Sequence, residues 1–188
     1  MFFSNILFKI KITFFIICLW ALCYSANTVM KNSIVFEYDG GIADSSYSFQ
    51  ALAKDNIKRE STDYWAKLNA YADKDNPKTV AAIMCLAAKA LGIKIYILCD
   101  REKENSETLI NAWKHMAHEI HFAPDPNDRY VFLENRRPLF YAASSDENII
   151  QAIKAEITPV RIKRNNKSSL PGSYSPGKFG ETVIPFSQ

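Results

Sequence analysis

Glycine is scarce in this chain, with six residues in 188. No cluster of them forms a loop able to cradle phosphate, and no Gly-x-Ser-x-Gly elbow occurs. Cysteine is sparse too, at four. Two of these, Cys18 and Cys23, fall in the N-terminal segment, so a disulfide-built scaffold is excluded. Neither sign of charge dominates: 23 Lys and Arg face 20 Asp and Glu, a net +3. That excess is too small and too scattered to suggest a nucleic-acid partner. What is present is apolar material, 48% hydrophobic and 13% aromatic. Such a composition excludes wholesale disorder and suffices for the core of one ordinary domain.

The first 25 residues read as an address. Lys9 and Lys11 precede the apolar run Ile12–Tyr24, and Cys23-Tyr24-Ser25 offers small residues for cleavage after Ser25. Positive charge, a short apolar core and small residues make a secretory signal. The run is shorter than the ~20 residues a spanning helix needs, so an uncleaved N-terminal anchor is the weaker alternative. The expected location is secreted, periplasmic or extracellular, or membrane-anchored through residues 1–25. Beyond that segment only Cys85 and Cys99 remain, one read as mid-helix and one at a strand end. They are open to pairing or to lying buried as free thiols.

Along the rest of the chain, Ser33–Tyr38 alternates as a strand ended by Gly40-Gly41. Asp44 or Ser45 caps a helix from about Tyr47, and Asp63–Ala72 forms a second. Asn76 as N-cap, Pro77 at the first helical position and Gly92 as the stop frame a third helix. Within it Val80, Ile83, Met84, Ala87 and Leu91 repeat at helical spacing, and Ile93–Cys99 follows as a buried strand. Ser106–Glu119 reads as a helix. Ile120–Ala123, Tyr130–Glu134 and Leu139–Ala143 read as strands, the first two separated by the turn-rich run from Pro124 to Arg129. Ser144 with Glu147 makes a capping box, and Pro159–Ile162 an edge strand. The expected architecture is α+β, a small mixed sheet of about five strands packed with helices. Residues 26–162 form one globular domain. Residues 163–188, rich in Pro, Gly and Ser, form a flexible tail in which Val183–Phe186 could dock.

His115, His118 and His121 are the only histidines. Their spacing would let the first two share a metal on a helix, but the third points elsewhere, so they read as solvated side chains. Arg161, Lys163, Arg164 and Lys167 form a basic cluster that reads as solvated as well. No metal site and no cofactor are expected.

The run Asp44–Leu52 resembles the catalytic-helix signature of the ovarian tumour (OTU) family of cysteine deubiquitinases, with Asp44, Phe49, Ala51 and Leu52 in register. The resemblance extends over about Ser33–Ala143. It takes in the helix carrying Ile83, Leu86, Ala87 and Leu91 that leads to Ile93, Ile95 and Ile97, and a final Phe140-Tyr141. At the family's nucleophile position stands Tyr47, and at its histidine position Phe140. A tyrosine with a pKa near ~10 is a poor nucleophile, and phenylalanine accepts no proton.

What the resemblance implies is an exported pseudo-hydrolase of OTU-like fold, without catalytic residues. It would bind ubiquitin or another protein through a groove at Asp44, Tyr47, Phe140 and Tyr141. Two other readings stand beside it: an exported interaction or structural module unrelated to deubiquitinases, and an active cysteine hydrolase with a different nucleophile.

Overall fold

The computed structural model describes residues 32–188 apart from Asn56, Glu60, Thr62 and Lys167. The segment expected to be an N-terminal signal or anchor lies outside the described residues, as does Lys167 of the basic cluster. Strand β1 (Ser33–Glu37) is buried at every position. That is the signature of a strand covered on both faces, and it explains why its sequence is almost continuously apolar. β2 (Ala43–Asp44) and β3 (Asn76–Pro77) form a small antiparallel pair. The main sheet continues with β4 (Lys94–Cys99), β5 (Glu119–Phe122), β6 (Tyr141–Ala143), β7 (Pro159–Arg161) and β8 (Thr182–Val183). Its order is β5-β4-β1-β6-β7-β8, and every neighbouring pair is parallel. Helices packed around a sheet were expected; the sheet itself has six strands and is parallel rather than mixed.

The helices are α1 (Ser46–Lys54), α2 (Asp63–Ala70), α3 (Thr79–Ala90), α4 (Glu107–Trp113), α5 (Pro126–Arg136) and α6 (Asp146–Lys154). Strand alternation divides the apolar residues between two cores. On one face Ile34, Phe36, Ile95, Ile97 and Cys99 pack with Ala81, Cys85 and Ala88 of α3 and with Leu109 and Trp113 of α4. On the other, Val35, Tyr96, Leu98 and Tyr141 pack with Phe132 and Leu133 of α5 and with Ile149 and Ala152 of α6. Leu52, Tyr64 and Leu68 tie α1 to α2 in a third, smaller cluster. Among the described residues no helix is long and apolar enough to cross a membrane.

Several local expectations are corrected. Asn76 and Pro77 do not cap a helix; they pair as β3 with β2, and α3 begins behind Lys78. Small residues of α3 face the sheet, while Ile83, Leu86 and Leu91 stay exposed. Tyr130–Glu134 is helical, not a strand. Asp125 accepts the Asn127 N–H at 2.7 Å, Pro126 sits at the first helical position, and left-handed Arg137 ends the helix. The run taken for a turn is therefore an N-cap, which a strand reading of Tyr130-Val131-Phe132 concealed. The cap of α6 is Ser145, one residue beyond Ser144; its Oγ accepts the Asn148 N–H at 3.2 Å. Cys85 and Cys99 are buried free thiols, and burial pushes the Cys85 thiol up to about 12. Thiols held so far from ionisation are inert as nucleophiles.

Much of the segment expected as a flexible tail is packed. β8 covers β7, so Pro159–Arg161 is not an edge strand. The reason is electrostatic. Arg161 is fully buried and needs counter-charge, which Asp146 supplies at 3.0 Å and Glu181 at 2.8 Å. Burial works against the Glu181 charge. The N–H groups of Gly177 and Phe179 and the Arg161 guanidinium outweigh it and hold this carboxyl below its usual range. Breaking a buried pair leaves the partner charge uncompensated. Replacing Glu181 by Ala is therefore expected to cost about 3–5 kcal/mol in urea unfolding, whereas a loose tail would leave the midpoint unchanged.

Candidate active site at the carboxyl edge of the sheet

From β1 the chain builds outward through β4 to β5, then returns to place β6 on the other side of β1. At such a reversal the loops leave in opposite directions, and a crevice opens beyond the strand ends. The crevice here has a volume of about 220 Å³. β1 delivers Glu37 and the following Asp39, β4 delivers Asp100, and the turn after β6 delivers Ser145 with Glu147 of α6. Phe49, Arg59 and Trp65 line one wall, and Arg164 with Pro171, Gly172 and Ser173 another.

Glu37 is 2% exposed. Its Oε2 accepts the backbone N–H of Ser144 and that of Ser145 at 3.1 Å, and its Oε1 accepts from Asn148 Nδ2 at 2.9 Å. Three N–H donors at the start of α6 thus converge on this one buried carboxyl. The sharp turn after β1 permits this approach. Gly40 has φ +77°, and a Cβ there would lie 2.5 Å from Ser144 Oγ; a Cβ on Gly41 would strike the Glu37 carbonyl. The glycine pair read as a strand end thus also lets the turn close over the site.

Asp100 accepts from the second hydrogen of Asn148 Nδ2 at 2.8 Å, while its Oδ1 has no hydrogen-bond partner among the described residues. Burial first, and then the neighbouring Glu37 charge, push the Asp100 carboxyl up to about 8. About a quarter of its side chain still opens on the cleft. One amide thus holds two carboxyls, of which Asp100 is the one pushed above the usual carboxylate range.

Asp39 is clamped by Arg101, whose Nε and terminal nitrogen reach its two oxygens at 3.0 and 2.6 Å. Arg101 also donates to Leu68 O at 3.0 Å and lies 4.8 Å from the Tyr38 ring. Behind it Asp75 accepts from Ser48 Oγ at 2.5 Å and from Tyr38 at 2.9 Å, and burial pushes its carboxyl up to about 6. Arg164 donates to Ser144 Oγ at 3.3 Å and to the carbonyls of Leu170 and Gly172, bending the C-terminal segment over the cleft.

The residues singled out from the sequence lie elsewhere, and none of the four lines the cleft. Asp44 accepts from Ser46 N and Oγ at 3.2 and 2.6 Å. Tyr47 is exposed on α1, and Phe140 packs edge-on to Phe36 with ring centroids 6.2 Å apart. Tyr141 is fully buried in the core of the other sheet face. Among the described residues no group of three His, Cys, Asp or Glu is placed to hold a metal ion, and His121 instead stacks on Phe132. One signal in the sequence did mark the cleft. Both buried strands run straight into charge, as Glu37-Tyr38-Asp39 and as Asp100-Arg101.

No family model matches the chain. It is 25% identical over 171 residues to a class B acid phosphatase of Xenorhabdus bovienii, which covers 81% of this chain and 71% of that protein. Among solved structures it is similar to a HAD family hydrolase from Deinococcus radiodurans with bound phosphate and sodium. There the TM-score is 0.58 and the identity 13%, over 81% of this chain and 90% of the other. A dehalogenase structure gives 0.56 at 15% identity, covering 82% and 92%. A predicted phosphoglycolate phosphatase of Haemophilus somnus gives 0.55 at 14%, covering 83% and 95%. The fold is the parallel α/β fold of these hydrolases. This overturns the OTU resemblance, and with it the reading of a deubiquitinase-like pseudoenzyme that binds ubiquitin.

The two raised carboxyls have a measurable consequence. A carboxyl whose folded pKa is raised contributes stability fully below its unfolded value near ~4, and loses it as pH rises through the folded value. Unfolding free energy should therefore decline between pH 4 and pH 8. Asp100→Asn should remove the slope between pH 6 and 8 and roughly halve it between pH 4 and 6, where Asp75 still contributes, as read from urea midpoints across that range.

Proposed function

We propose that this chain hydrolyses phosphate monoesters in the cleft between β1 and β6. The observation that carries the reading is the pair Glu37 and Asp100, joined through one amide at the cleft, with the Asp100 carboxyl pushed up to about 8. The similarity to an acid phosphatase and to a hydrolase with bound phosphate supports it. Arg59 and Arg164 supply positive charge on the walls of the same cleft, suited to the oxygens of a phosphoryl group.

In this reading the Glu37 carboxylate attacks phosphorus while the bond to the ester oxygen breaks. The leaving oxygen takes the proton of Asp100 and departs as an alcohol. Water then attacks the phosphoryl-glutamate, giving its proton to the Asp100 carboxylate, and inorganic phosphate and free Glu37 are restored. Asp39 is held by Arg101 and serves to fix the β1 turn. The activity belongs to an exported protein, as the N-terminal segment would direct.

Hydrolysis of p-nitrophenyl phosphate by the purified chain tests this. Activity should be present at acid and neutral pH and fall as pH rises through about 8, because the donor proton is then lost. Asp100→Asn should lower kcat by roughly 10²–10⁴-fold and abolish the alkaline limb. Glu37→Gln should abolish turnover with the fold intact. Wild-type protein that turns over no phosphate ester would overturn the reading.

A further inference from the structure

We infer that Asn148 stands where a cation would otherwise be required, so that the cleft holds Glu37 and Asp100 together without a divalent metal ion. The inference concerns the same cleft and rests on the reading above only in taking that cleft as the functional one. A neighbour of this fold was solved with bound phosphate and sodium, so the donors present here decide whether this chain could hold a cation.

Carboxyls gathered at one strand edge repel unless positive charge or hydrogen-bond donors lie between them. Divalent cations achieve this with several oxygen ligands, most of them carboxylate or carbonyl. Here most of those oxygens already accept a hydrogen bond, and Asp100 Oδ1 and the Asn148 carbonyl, which accept none, are fewer than such a cation needs. Glu37 Oε2 accepts two backbone N–H groups, and Oε1 accepts from Asn148. Both oxygens of Asp39 accept from Arg101. Asp100 Oδ2 accepts from Asn148, and its Oδ1 faces Arg129 at 3.8 Å. A metal ion would have to displace N–H donors or approach two arginines, so the residues present do not fit one.

Asn148 is built to stay in place. It is fully buried in the first turn of α6, and its backbone N–H is taken by Ser145 Oγ. The side-chain nitrogen has two hydrogens, and each meets a different carboxyl, at 2.9 and 2.8 Å. Its carbonyl Oδ1 has no partner among the described residues, so the amide is oriented wholly by the two acids. The same position filled by aspartate would bring a third carboxylate against the other two and remove their shared donor.

The full chain is titrated with magnesium, calcium and manganese chlorides, read by melting temperature and by calorimetry. Wild type should show no saturable binding at millimolar metal and no change on adding EDTA. Asn148→Asp should melt lower without metal and rise by roughly 5–10 °C at a hundredfold excess over its Kd. Asn148→Leu, which has neither donor nor charge, should melt lower and regain nothing. Saturable metal binding by wild type overturns the inference, as does a folded Asn148→Asp that ignores metal. Should that variant not fold, the wild-type titration decides by itself. None of these readouts needs turnover, so a failed phosphatase assay leaves them legible.

Discussion

Glu37 is a carboxyl group placed where the sheet offers almost no water, at the end of a strand buried along its whole length. An isolated carboxylate there would be too costly to keep. Much around it is the means of keeping it: two backbone N–H groups at the start of α6, the Asn148 amide, and a glycine turn tight enough to bring β1 and β6 together. The same constraint drives Asp100 to hold its proton. Burial first, and then the proximity of Glu37, raise this second carboxyl to about 8.

Three buried arginines extend this arrangement into the fold. Arg101, after β4, joins Asp39 of the β1 turn to Asp75 and the end of α2. Arg129 on α5 reaches the carbonyls of Ala123 and Pro124 and pairs with Glu147 of α6. Arg161 on β7 gathers Ser144 O, Asp146 and Glu181. Each guanidinium offers several donors in a fixed plane, so one side chain can hold three segments in register. Cores of aliphatic residues supply most of the favourable burial, but they do not say which loop stands beside which. The ionic contacts do, and they cluster at the edge of the sheet where the cleft lies.

The corrections share a cause. Tyr130–Glu134 has the β-branched and aromatic look of a strand, yet Asp125 and Pro126 start a helix before it, and a helix cap outweighs weak side-chain propensity. The polar segment after Ile162 has no apolar periodicity, so local rules read it as loose; it is held by the ionic demand of Arg161, a partner far away in sequence. The OTU resemblance failed for a related reason. A short capped helix with an aromatic, a small residue and a leucine is common, and its order along the chain carried no information about which strands would be adjacent. Tyr47 and Tyr141 are single residues with plausible chemistry. Tyr141 falls on a core-facing strand position, and Tyr47 on a helix surface outside the cleft.

From its residues alone, this chain declared where its buried strands β1 and β4 lie, where α3 and α6 run, and that two glycines end the first strand. Those features depend on neighbours a few residues apart, whose spacing is written in the chain. Which strands are adjacent, and so which charges meet, was decided only by the folded sheet. Glu37, Asp100 and Asn148 are separated by 63 and 48 positions, and the β1–β4 and β1–β6 pairings bring them within hydrogen-bond reach. The order of parallel strands is set by long crossover connections and packing on two faces, and no local pattern encodes it.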